Sequence, residues 1–144
     1  MKIKISTKVN KSYEEVFKNF NQPLLEKLTP PLIPFKLLKF DGSKKGDDIH
    51  IQLNILGLKQ LWITHVIEDS HDKEEIYFID QSSKLPFFLT FWKHKHRILN
   101  RKTGSQIIDE IEYRTPHFLL DYLCYPVMYL QFYFRKHIYK EEFK

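Results

Sequence analysis

The residues whose types and spacing most directly suggest chemistry are His94 and His96, separated by Lys95 and preceded by the aromatic run Phe87, Phe88, Phe91 and Trp92. Imidazoles two apart fit three roles: shared ligands of a metal ion, an acid/base group, or polar anchors in an apolar wall. Strand parity decides which way they face. In extended backbone alternate side chains share a side, so Trp92, His94, His96 and Ile98 lie on one face and Lys93, Lys95 and Arg97 on the other. Three alternating cations would each need a buried partner to face a core. The basic row is therefore expected at the solvent, and the Trp/His/His/Ile row inside.

The next segment, QIIDEIEY, sorts in the same way, with Ile107, Asp109, Ile111 and Tyr113 on one face and Ile108, Glu110, Glu112 and Arg114 on the other. The second set carries the charge and belongs outside, which turns Asp109 inward. A connection of Arg101 to Gly104 pairs Asn100 with Ser105. Counting back antiparallel sets Ile98 against Ile107, His96 against Asp109, His94 against Ile111 and Trp92 against Tyr113. Opposed side chains are neighbours, and a one-residue slip would mix inward with outward residues.

A His96–Asp109 pair inside an aromatic-lined space has three readings. It could be a buried pair that satisfies itself and fixes register, or an anchor for a ligand's carbonyl, hydroxyl or carboxylate. It could also be an acid/base couple, which makes His96 and Asp109 the catalytic candidates. A metal site needs a third convergent ligand. Asp109 alone offers itself, since His50, His65, His71, His117 and His137 share no spacing; no metal is expected. Cys124 lies in an apolar stretch where a thiol is usually inert, and no G-x-S-x-G turn is present. With 4 Gly, and neither G-x-G-x-x-G nor a P-loop pattern, no nucleotide cofactor is expected either.

Around these strands the elements read plainly. Residues 2–9 alternate, with Ile3, Ile5, Thr7 and Val9 on one face. Ser12-Tyr13-Glu14-Glu15 is a capping box opening a short helix, and a second short helix over about 23–28 is stopped by the prolines of TPPLIP. From Phe35 to Tyr113 the pattern is of antiparallel strands and turns, with Ile49, Ile51, Leu53 and Ile55 on one face of the DIHIQLNIL strand. After Pro116 comes a long, mostly apolar stretch, expected to be a helix packed along a curved sheet. Asp121, Gln131 and Pro126 argue against a membrane span there. Leu119, Leu123, Met128 and Leu130 are expected to bury, and Pro126 to kink or break the helix.

The chain of 144 residues fits one domain, with no internal boundary or repeat. It is 15% aromatic, which suits cores and cavity walls. The formal charge of +5 comes from lysines scattered among acids, not the clustered basic face of a nucleic-acid binder; no nucleic-acid partner is expected. A lone cysteine and an N-terminus without an apolar core point to a reducing compartment, the cytoplasm.

The order of strand, two short helices, about six antiparallel strands and a long helix resembles the helix-grip fold, the START-like, pollen-allergen-like superfamily that includes polyketide cyclases and coenzyme Q-binding proteins. FDGSKKGD at 40–47, LPFFLTFWKHKH at 85–96 and LLDYLCYPVMYLQFYFR at 119–135 carry the resemblance, which covers the whole chain. It implies an α+β fold of about seven antiparallel strands wrapped around the C-terminal helix, with a cavity for an apolar ligand between them. It brings no catalytic signature, and fold does not establish function. The expected function is binding of a small apolar or amphipathic molecule such as a lipid, isoprenoid or aromatic metabolite. Phe88, Trp92 and Tyr113 would form the wall, with His94, His96 and Asp109 at the polar end. The alternatives are a cyclase or dehydratase using His96 and Asp109, and a module touching lipid surfaces or proteins through its aromatic helix.

Overall fold

The computed structural model describes residues 1–30 and 33–144. β1 (Lys2–Val9) leads into α1 (Tyr13–Lys18) and α2 (Gln22–Lys27). Six strands follow: β2 (Phe35–Phe40), β3 (Asp48–Ile55), β4 (Leu58–His71), β5 (Glu75–Lys84), β6 (Phe91–Asn100) and β7 (Ser105–Arg114). The chain then forms α3 (Phe118–Glu142). The expected capping box is present, with Ser12 Oγ accepting from the Glu15 N–H at 3.2 Å, and Asn21 Oδ1 caps α2 by accepting from Leu24 N–H at 3.2 Å. Pro31 and Leu32, within the proline segment expected to stop α2, lie outside the described residues.

The seven strands form one antiparallel sheet in the order β1-β7-β6-β5-β4-β3-β2, as the resemblance implies. Register shifts interrupt the pairing of β4 with β5 at Ile63/Thr64 and Val66/Glu68, and that of β2 with β3 at Leu37/Lys39. Such bulges bend a strand and raise its twist, which helps the sheet curl around α3. The turn between β6 and β7 holds Gly104 at φ +79°, where a Cβ would also strike the Val9 carbonyl oxygen. That turn fixes Asn100 opposite Ser105, and with it the whole register of β6 on β7.

The core lies between the concave sheet face and one side of α3. One cluster joins Ile3, Ile5, Trp92, Ile111 and Tyr113 to Met128 and Phe132. A second joins Val16, Leu24, Ile98 and Ile107 to Tyr139 and Phe143. Burying these side chains, at about 1.5–3 kcal/mol each, dominates the stability of the fold.

α3 departs from expectation in which of its residues are buried. Met128 buries as expected, but Leu119, Leu123 and Leu130 are 60, 71 and 55% exposed. At 3.6 residues per turn Met128, Phe132 and Tyr139 share one side, and the three leucines lie on the other; the sheet covers only the first side. Pro126 does not break the helix. It sits on the exposed side, where water can satisfy the carbonyl left without its N–H partner. The helix starts at Phe118, capped by His117, whose Nδ1 accepts from Leu119 N–H at 3.2 Å. No described helix is long and apolar enough to cross a membrane.

Candidate functional site

β6 lies between β5 and β7, and the register that the sequence predicts is the one found: His96 is opposite Asp109, His94 opposite Ile111 and Trp92 opposite Tyr113. Lys93, Lys95 and Arg97 point to the convex side. There Arg97 binds Glu75 and Glu110 at 2.9 and 3.0 Å, and Lys95 lies over the Tyr77 ring at 4.2 Å. On the concave side Trp92 and His94 are buried, and the His96 side chain is 13% exposed.

The side-chain pairing differs from expectation. His96 does not pair with Asp109; its Nδ1 stays 3.8 Å from Oδ1 of that residue. Its Nε2 instead meets Asp80 Oδ2 at 2.6 Å. Asp109 is taken by His94, whose Nε2 lies 2.8 Å from Oδ1. Each imidazole therefore reaches diagonally, since Asp80 faces His94 across β5–β6 while Asp109 faces His96 across β6–β7. Diagonal neighbours in a sheet stand within reach of long side chains. The two rings lie against each other with centroids 3.5 Å apart, and Phe78 stacks on the far face of His96 at 4.2 Å.

Burial and charge set the protonation of this cluster. Desolvation, reinforced by the charge of His96, pushes His94 from its ordinary value of 6.5 down to about 4, against the pull of the Asp109 hydrogen bond. Burial would raise the Asp109 carboxyl, but the hydrogen bond from His94 and the nearby guanidinium of Arg135 hold it below the ordinary range. Near neutral pH His94 is uncharged and Asp109 ionised. A carboxylate only accepts, so His94 donates through Nε2–H. His96 Nε2 and Asp80 Oδ2 share a hydrogen bond of 2.6 Å, and His96 Nδ1 is a buried nitrogen without a hydrogen-bond partner among the described residues.

A cavity of about 150 Å³, partly open to solvent, lies between this cluster and α3. Phe88, Trp92, His94 and His96 line it as expected, together with Asp80. Tyr113 and Asp109 do not line it. Tyr113 is fully buried in the core, and its hydroxyl donates to the Asp121 carbonyl at 2.7 Å; burial lifts its pKa to about 12. Asp109 is buried and bonded to His94, and it also lies near Tyr139 and Arg135 of α3. From α3, Gln131, Arg135 and Tyr139 reach the cavity as well. The rest of the lining is apolar, from Leu24, Leu28, Ile51, Trp62 and Phe132 among others.

Asp80 was legible in principle, because alternation along EIYFID puts Ile76, Phe78 and Asp80 on one face. The irregular connection of residues 85–90 hides the register of β5 on β6, so its partner was not. Asp80, His94 and His96 are also the side chains that could converge on a cation, their donor atoms lying within 4.8 Å of one another. The third member is Asp80, not Asp109. A tetrahedral ion with bonds near 2 Å would hold its ligand atoms about 3.3 Å apart, and the 2.6 Å contact of His96 with Asp80 is instead a direct hydrogen bond. Cys124 sits partly buried on α3, its thiol pushed up by burial.

No protein-family model matches this chain, and no curated protein is similar enough in sequence to match. Solved structures do match. A protein from Arthrobacter aurescens aligns with a TM-score of 0.65 at 12% identity, covering 95% of this chain and 81% of its own. Ara h 8.0201 aligns with a TM-score of 0.54 at 13% identity, over 82% of this chain and 79% of its own. The Zhui aromatase/cyclase from Streptomyces sp. R1128 aligns at 0.56 with 10% identity, over 81% and 69%. At such identities the likeness establishes the fold alone: a helix-grip arrangement, with a curved antiparallel sheet around a long C-terminal helix.

Proposed function

We propose that residues 1–144 form one domain that binds a small apolar or amphipathic molecule, such as a lipid fragment, an isoprenoid or an aromatic metabolite, in the cavity between the sheet and α3. The observation that carries this reading is the cavity itself, apolar over most of its wall, with Asp80, His94 and His96 among the few polar groups that line it. A few convergent polar groups in an apolar concavity are the usual form of a small-molecule site. A dry apolar cavity of about 150 Å³ accepts a guest the size of benzene, so one ring or a short chain fits without rearrangement. Helix-grip proteins of such different kinds as an allergen and an aromatase/cyclase support a binding scaffold more than any one reaction. The free Cys124 suits a reducing, cytoplasmic setting.

Native mass spectrometry of freshly purified protein tests the proposal. The expected result is an added mass of small-molecule size that disappears on denaturation, or uptake of toluene as a one-to-one adduct. A bare mass that takes up no ring-sized guest would overturn it.

A second reading, of cyclase or dehydratase type, rests on the 2.6 Å contact of His96 with Asp80 at the cavity wall. A carboxylate that orients an imidazole equips it as a general base. Asp80 takes the part that the sequence suggested for Asp109. Exchange of carbon-bound hydrogens of a bound ketone in D₂O, lost in Asp80→Asn, would mark this reading; binding without exchange would exclude it. The exposed apolar side of α3, with a net charge of +5, also supports transient contact with an anionic lipid surface.

A further inference from the structure

Gln131, Arg135 and Tyr139 stand four residues apart on α3 and all three reach the cavity. A spacing of four stacks side chains on one helix face, so they form a row of donors facing the His/Asp cluster of the sheet. Among the described residues none of the three makes a side-chain hydrogen bond, although Asp109 and Arg135 lie near enough to Tyr139 to act on its hydroxyl. Gln131 Nε2 and the Tyr139 hydroxyl are buried without a hydrogen-bond partner, and Tyr139 as a whole is only 1% exposed. Arg135 lies over the Phe132 ring at 4.4 Å and makes no salt bridge among the described residues. The sheet side is different, because Asp80 and Asp109 each already accept a hydrogen bond from an imidazole.

A buried donor left unpaired is costly, whereas an acceptor with one of its lone pairs filled is much less so. Against these donors the sheet side offers one unpartnered nitrogen, His96 Nδ1, so the cavity remains short of acceptors. Charge narrows the choice further: two carboxylates, Asp80 and Asp109, already outnumber the single guanidinium of Arg135, and a third carboxylate would be repelled. We infer that the ligand of this cavity carries a neutral oxygen acceptor, a carbonyl, at the end that meets Gln131, Arg135 and Tyr139, attached to an apolar body about one ring in size. The inference rests on the cavity-binding reading above and specifies its ligand class.

Three ring-sized probes separate the outcomes when titrated by calorimetry into the intact protein. Acetophenone carries the carbonyl, cumene has the same shape without it, and benzylammonium offers donors and a positive charge to Asp80 on the cavity wall. Acetophenone is expected to bind at least about tenfold more tightly than cumene. In Gln131→Glu, which replaces a donor with a further acceptor, that ratio is expected to fall toward one. Equal affinities for acetophenone and cumene in the unaltered protein would overturn the carbonyl inference while leaving cavity binding intact. Tightest binding of benzylammonium would overturn it in favour of an amine ligand. Binding of none of the three would overturn the inference together with the cavity-binding reading beneath it.

Discussion

Along α3, Met128, Phe132 and Tyr139 are 4, 5 and 1% exposed, while Leu123, Leu130 and Tyr133 on the other side are 71, 55 and 51% exposed. The two sides differ little in hydrophobicity, so hydrophobicity did not decide which of them the sheet covers. They differ in their polar residues. Gln131 and Arg135 border the covered side, whereas from Leu119 to Phe134 the uncovered side is leucine, valine, proline, tyrosine and phenylalanine. On an ordinary surface helix the polar residues mark the solvent. Here they mark the cavity, which is what a ligand site built on a core helix requires.

The comparison can be broken most directly by truncating each side. Phe132→Ala removes a ring packed against Trp92, His94 and Met128 and should cost about 3–5 kcal/mol in urea denaturation. A loss below about 1 kcal/mol would mean that the covered side is not the core. Acid should act next most strongly, with its largest effect through the buried His94 on the inner side. The unfolded chain protonates His94 near 6.5, while the folded chain resists until about 4. The unfolded state therefore binds more protons across that window, and stability present above pH 6.5 is lost as the pH falls toward 4. The loss should be about 3 kcal/mol, seen as a falling denaturation midpoint, and should shrink in His94→Gln. A midpoint flat from pH 7 to 4 would contradict a neutral, buried His94.

Asp109→Asn keeps the shape but removes the charge that His94 donates to. It should cost about 1–3 kcal/mol and should let the His94 ring reorient, visible as a change in its ¹⁵N shifts. Asp80→Asn, at a site nearer the cavity, should perturb His96 instead; the same spectrum for both variants would restore the His96–Asp109 pairing. The smallest effect belongs outside. Leu123→Ala should change stability by less than about 0.5 kcal/mol, yet lower cosedimentation with anionic vesicles if this side touches lipid. A large loss of stability there would show that the outer side is covered after all.

What could be read in the sequence follows the same division. Strand parity and the short Arg101–Gly104 turn gave the register of β6 on β7 and the inward direction of both histidines, because a period of two and a tight turn leave little freedom. Backbone register does not choose between direct and diagonal side-chain partners, so the His96–Asp109 pairing was misread although the two residues are opposite. Asp80 was hidden by the irregular 85–90 connection. On α3 the pattern offered no polar side to point outward, so Leu119, Leu123 and Leu130 could not be told from Met128. Gln131 read only as an interruption of an apolar helix, and nothing in the pattern set Arg135 and Tyr139 beside it until the cavity placed the three together.

An exposed apolar side could also collect amphiphiles, so the location of a bound molecule is the direct test. Two-dimensional NMR during titration with acetophenone reports both sides at once, through the indole N–H groups of Trp62 and Trp92 near the cavity and the methyl groups of Leu123 and Leu130 outside it. A ligand site in the cavity predicts that the indole signals shift and saturate at one equivalent while the leucine methyls stay in place. Shifts confined to Leu123 and Leu130, with both indoles unmoved, would contradict it.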